Sequence, residues 1–288
     1  MFKGEERTIE IPGFTLKAKE WGTPGGAPVL AIHGWIDNAA SFDFLAPLLS
    51  EFHIIAIDLP GCGHSSHQPL SHIPNILYDP FYMFQVADNL GWDKFSIIGH
   101  SRGGIVGEVM AAGWPERIQA LVLLDIAGLY LVGTPEECIE YARTNFQLYL
   151  RHPMKPATIF PDLDLAAKDR MKTFPIAYQS ALALTERGTN KVEGGYVWAF
   201  DRRELLFRSP IKYPHDMAKA LVSSIQAPTC FIMATEGYVK IDEKAVTLYP
   251  PLVPHHVLHF VPGGHHAHMD NAAAVAPIIL DFFKKNLN

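Results

Sequence analysis

Six short apolar runs punctuate the chain: residues 28–34, 53–58, 95–100, 120–125, 228–234 and 257–261. Each is four to seven residues long, rich in β-branched residues or leucine, and ends at turn residues. None alternates strictly between apolar and polar, which predicts strands of a parallel sheet covered on both faces. Helical spacing separates them. It is clearest at the end, where Val275, Ile278, Ile279, Phe282 and Phe283 form one apolar stripe. This alternation predicts an α/β domain with right-handed crossovers. Near the start, residues 8–11 and 16–21 do alternate, predicting an antiparallel hairpin on the sheet edge.

The rhythm stops after Asp125 and resumes at 228. Between lie helical stretches, prolines and many aromatics, among them Tyr141, Phe146, Phe160, Phe174, Trp198 and Phe207, and no clear strand of the same kind. An insertion of this size predicts a helical cap, residues 127–213, over the carboxyl edge of a core built from 1–126 and 214–288. Most of its aromatics are expected to form the cap's own core.

Composition narrows the function classes. The 288 residues are 48% hydrophobic and 19% charged, ample for a sizeable core. A net charge of −6 offers nothing to nucleic acid or an anionic membrane surface. No apolar run approaches the ~18 residues of a membrane span, and the N-terminus lacks the apolar core of a secretory signal. Cys62, Cys138 and Cys230 show no C-x-x-C spacing and read as free thiols. A cytoplasmic protein is expected.

The strongest chemical motif is G-x-S-x-G at Gly99-His100-Ser101-Arg102-Gly103, directly after an apolar run and before a helical one. A serine on a sharp strand-to-helix turn needs small neighbours, stands out at the sheet edge and sits at a helix N-terminus that favours developing negative charge. Ser101 is the expected nucleophile. The His33-Gly34-Trp35 turn follows an earlier strand, so the amides of Trp35 and Arg102 are the expected oxyanion donors. The His33 imidazole reads as structural, and the Arg102 guanidinium as paired with an acid on a neighbouring helix. The glycine-rich turn at 58–66 is expected to shape the pocket floor.

Taken together, H-G-W, D-L-P-G-C-G-H-S, G-H-S-R-G-G, L-V-L-L-D and G-G-H-H-A-H-M resemble the α/β-hydrolase superfamily. Residues 33–43 and 187–203 are similar, more narrowly, to its serine hydrolase-like branch. The resemblance implies an α/β-hydrolase fold with a mostly parallel eight-stranded sheet and a cap between strands six and seven. It also implies a nucleophile–acid–histidine triad with neither metal nor other cofactor.

Three histidines crowd the turn at 265–268. A zinc site would need further ligands at metal spacing, and the one H-x-x-H, His265 and His268, falls on a turn. In the superfamily the general base lies three positions before a second histidine that is followed by an apolar residue, which designates His265, with His266 as the alternative. The acid stays open. The usual position after strand seven holds Gly237, with Glu236 just before it, while the end of strand six offers Asp125. Asp125 is favoured for its rigid strand, Glu236 is the alternative, and Asp242 is a distant third.

A serine nucleophile argues for acyl transfer, so the expected function is hydrolysis of a small-molecule carboxylic ester. The competing expectation is a small-molecule binding relative that has lost turnover.

Overall fold

The structure is a computed structural model, and it describes residues 4–129, 132–151, 156–205 and 211–287. Phe207 lies outside them. Eight strands form one sheet: β1 (Glu5–Ile11), β2 (Phe14–Gly22), β3 (Pro28–Ile32), β4 (His53–Ile57), β5 (Phe95–His100), β6 (Ile118–Leu124), β7 (Thr229–Ala234) and β8 (His256–Val261). Their spatial order is β1-β2-β4-β3-β5-β6-β7-β8. The β1–β2 hairpin is antiparallel and occupies one edge; from β4 through β3 to β8 the pairing is parallel.

The unbroken apolar strands are explained by burial on both faces. Leu30, Ile32, Ile55, Ile97, Leu121 and Leu123 face one core with helices α1 (Asp79–Asn89) and α2 (Arg102–Gly113). Val29, Ala31, Ile54, Ile98, Val122 and Leu124 face the other, against Phe42, Leu45 and the C-terminal helix Ala272–Asn286. Of the stripe foreseen on that helix, Val275, Ile279, Phe282 and Phe283 are buried. In β3 to β7 alternation is absent because neither face meets water. Strand β8, at the sheet edge, departs from the expectation, with Val257, Leu258 and Phe260 exposed.

Between β6 and β7 the chain forms α3 (Pro135–Arg151), α4 (Leu163–Thr173), α5 (Tyr178–Gly188) and α6 (His215–Ser223). Two features depart from the helical expectation. A hairpin pairs Thr189–Val192 with Gly195–Trp198, and Val132–Gly133 pairs in parallel with Tyr213–Pro214, joining the two ends of the insertion. Its aromatics also divide. Phe160, Trp198 and Phe200 pack ring to ring, whereas Phe146 on α3 is exposed and Phe174 packs against His265. Helices α4 and α5 bury Ala167, Ile176, Ala181 and Leu184 against Met269 of the histidine turn. The Asn38 amide donates to the Leu184 carbonyl at 2.9 Å, fastening α5 to the sheet side. Among the described residues no helix is long and apolar enough to cross a membrane.

Candidate active site

Strand β5 ends at His100 and α2 begins at Arg102, which leaves Ser101 alone on the turn with φ +50° and ψ −113°. Such a backbone is costly for a residue with a Cβ and is held by its surroundings. The Ser101 N–H donates to the Leu124 carbonyl at 3.1 Å, and its carbonyl accepts from Gly104 at 2.9 Å. The glycines of the motif are sterically required: a Cβ on Gly103 would lie 2.0 Å from the Ile32 carbonyl oxygen. Two further non-glycine residues among those described have positive φ, Ile36 at +53° and Asp125 at +52°. One follows the His33-Gly34-Trp35 turn and the other follows β6; Ser101 itself lines the cavity, and the other two are next in sequence to its lining residues Trp35 and Ile126.

Asp125 is held from three sides. Its N–H donates to the Ile232 carbonyl at 2.8 Å, Oδ1 accepts from the Ala234 N–H and Oδ2 from the Tyr238 N–H, both at 2.8 Å. The same Oδ2 lies 2.6 Å from His265 Nδ1. An ionised carboxylate there makes Nδ1 the protonated nitrogen and leaves Nε2 as the acceptor. The ring of Phe174, just past α4, packs 5.5 Å from that of His265, centroid to centroid. Ser101 and His265 line one cavity of about 240 Å³, whose remaining wall is mainly apolar, with Ile76, Leu77, Ile105, Ile126, Leu129 and Ile241.

Glu236 does not join them. Its side chain is 67% exposed and faces Lys240 at 3.6 Å. Asp242 caps the short helix Glu243–Leu248 by accepting from the Ala245 N–H at 2.9 Å. A Cβ on Gly237 would fall 2.2 Å from Asp125 Oδ2, so the carboxylate arriving from β6 occupies the space that a side chain on Gly237 needs.

Trp35 and Arg102 both border the cavity. Arg102, as the first residue of α2, has an amide in the turn that no intrahelical carbonyl can reach. Its guanidinium is buried and engaged by two acids: Nε reaches Asp79 Oδ2 at 2.9 Å, and Nη1 reaches Glu204 Oε2 at 2.6 Å. Burial works against that charge, but the two carboxylates outweigh it and raise the guanidinium above its ordinary value. His33 is structural: its Nδ1 donates to the Gly34 carbonyl at 2.7 Å and its Nε2 accepts from the Leu59 N–H at 3.0 Å. The 58–66 turn does not line the cavity; Asp58 instead accepts from Ala39 at 2.7 Å and His64 at 3.0 Å.

The other two histidines of the turn diverge from His265. His268 Nε2 meets Ser41 Oγ at 2.8 Å, and His266 Nε2 meets Asp37 Oδ2 at 3.1 Å. Burial pushes His266 down to about 4, so it is neutral at pH 7 and donates to Asp37. Burial opposes ionisation of Asp37, but His266 and Arg170 prevail and hold its carboxyl well below the usual range. The foreseen H-x-x-H pair is therefore split. Among the described residues, the groups that could ligate a metal together are Asp37, His100 and His266, all buried, but Asp37 also pairs with the Arg170 guanidinium, which repels a cation. Sequence reasoning missed Asp37, His100 and Arg170 as parts of the site. Asp37 and His100 were visible as polar residues beside recognised motifs; Arg170 carried no signal. His100 Nε2 donates to the His265 carbonyl at 2.8 Å, tying the residue before Ser101 to the histidine turn.

A mostly parallel eight-stranded sheet, a serine on a strained strand-to-helix turn and a carboxylate-bound histidine lining the same cavity point to the class. The chain belongs to the α/β-hydrolase fold family, whose profile matches residues 27–272. Within it the relatives matched over nearly the whole chain include serine hydrolase-like proteins: that of Danio rerio is 31% identical over 97% of this chain and 88% of its own length. A hypothetical protein of Pseudomonas aeruginosa superposes with a TM-score of 0.91 at 35% identity, over 97% of this chain and 99% of its own. The thioesterase domain from the curacin biosynthetic pathway does so with a TM-score of 0.83 at 25% identity, over 97% and 100%.

Proposed function

We propose that this chain is a metal-free serine hydrolase that cleaves carboxylic esters of small acyl groups through an acyl-enzyme on Ser101. The observation that carries the reading is the 2.6 Å contact of Asp125 Oδ2 with His265 Nδ1, in the wall of a cavity that also presents Ser101. His265 Nε2 takes the Ser101 proton as Oγ attacks the carbonyl carbon. The amides of Trp35 and Arg102 receive the oxyanion, and the imidazolium, stabilised by Asp125, returns its proton to the leaving alcohol. Water then repeats the sequence on the acyl-enzyme and restores Ser101. A cavity of about 240 Å³ with mainly apolar walls suits a short acyl chain. Likeness to a thioesterase domain supports acyl transfer and extends the candidates to thioesters. The free thiols Cys62, Cys138 and Cys230 support the cytoplasm as its compartment.

The test is a burst assay with p-nitrophenyl acetate together with fluorophosphonate labelling. Ser101→Ala is expected to stop labelling and to lower kcat by roughly 10³-fold or more. Labelling of the alanine variant at the wild-type rate would overturn the assignment.

A further inference from the structure

The hydrolytic chemistry uses none of the charged side chains of the cavity wall, Asp37, Arg102 and Arg170. Arg170, near the end of α4, is 4% exposed and lines the cavity with Ser101 and His265. Its Nη2 donates to Asp37 Oδ1, while Nε and Nη1, both buried, meet no acceptor among the described residues. Those two nitrogens carry three of the five guanidinium N–H groups. Buried donors are rarely left unpaired, and an unpaired one costs free energy that a binding partner can recover. The contrast with Arg102 on the same wall is direct, because Asp79 and Glu204 already occupy that guanidinium on Nε, Nη1 and Nη2. Arg102 is thus excluded as a recognition group for an acidic substrate, and Arg170 is not.

We infer that Arg170 is the substrate-anchoring residue of this cavity and that the acyl group it selects carries a second, free carboxylate. A carboxylate is the acceptor that matches a guanidinium best, with several lone pairs for its parallel N–H groups. Asp37 holds the guanidinium by Nη2, and a ligand carboxylate reaches the buried Nε and Nη1 only as the side chain turns toward the cavity. The apolar wall takes the methylene chain between the two ends. The cavity admits a short diacid monoester, of about four to six carbons in the acyl part. The inference rests on the hydrolase reading for the fate of the ester, and not for the binding of the carboxylate.

The experiment compares p-nitrophenyl hydrogen glutarate with the ester in which a carboxamide replaces the free carboxylate. The wild-type protein should favour the acid in kcat/KM by about tenfold or more, the worth of a charged hydrogen bond. That ratio should collapse to near one in Arg170→Gln and be partly kept in Arg170→Lys, with the difference residing in KM. Calorimetric titration of Ser101→Ala with glutarate reads binding without turnover, and Arg170→Gln in that background should weaken it about tenfold or more. Glutarate binding without any ester turnover would sink the hydrolase reading and leave the subsite standing. Turnover of both esters with no preference for the acid in the wild-type protein would sink the subsite and leave the hydrolase reading intact. That comparison needs no variant, so loss of fold in a substituted protein does not decide the matter.

Discussion

Strands β6 and β7 are paired neighbours that both end beside the histidine turn, and each is followed by an acidic residue. The acid after β6, Asp125, is buried and meets His265; the acid after β7, Glu236, points to solvent. The β7 end contributes backbone instead of a carboxylate. The N–H groups of Ala234 and Tyr238 hold Asp125, and the Glu236 N–H donates to the Gly263 carbonyl at 2.9 Å, bracing the loop that carries His265. One volume beside His265 Nδ1 can be filled from either strand, but by only one side chain. Asp125 fills it, so position 237 accommodates glycine and position 236 is released to the surface.

The sharpest way to break this contrast is Asp125→Asn. The amide keeps the shape but favours the wrong imidazole tautomer, so kcat should fall by at least roughly 10²-fold. Retention of full activity would reduce the site to a serine–histidine pair. Next comes Gly237→Ala, whose methyl group would collide with Asp125 Oδ2. Because the carboxylate is held by two backbone N–H groups, the clash is expected to cost about tenfold in kcat and roughly 1–3 kcal/mol of stability by overpacking. A wild-type kcat and melting temperature for that variant would show that the two strand ends do not compete for the space.

A third expectation concerns the histidine that turns away from His265. Burial keeps His266 neutral down to about 4, whereas in the unfolded chain it takes a proton near its ordinary value of 6.5. Between these values the unfolded state binds the additional proton, so stability rises with pH and is lost as pH falls from about 6.5 toward 4. Denaturant titrations across that window should give a shallower loss for His266→Gln than for the wild type. An unchanged slope would place the acid sensitivity elsewhere. The smallest expected effect is Glu236→Gln: an exposed pair with Lys240 at 3.6 Å is worth about 0–1 kcal/mol, and activity should stay within about twofold. A dead Glu236→Gln protein beside an active Asp125→Asn protein would reverse the assignment of the acid.

Much of this was legible in the chain itself. The apolar runs of β3 to β7 foretold parallel strands because a strand buried on both faces has no reason to alternate; β8 carries the same pattern although most of it is exposed at the sheet edge. Ser101 was legible because its turn demands small residues at fixed offsets, a demand local enough to be written in five letters. His265 was legible only by its place relative to His268-Met269. Asp125 could be favoured but not separated from Glu236, since both follow a strand and both carry a carboxylate. What separates them is the direction in which each strand end releases its side chain.

The hydrophobic pattern determined by itself which segments become strands, and the elbow motif determined which residue stands at the sheet edge, because both depend on neighbours a few positions away. Tertiary structure alone decided which acid meets the histidine, and that the three histidines of one turn part toward Asp125, Asp37 and Ser41. It alone brought Arg170, from the inserted segment, to a cavity shared with residues 35 to 266. These are contacts across more than a hundred positions. Their free energy comes from burying a charge or hydrogen-bonding group against a particular partner, and the identity of a residue does not state which partner the fold will bring.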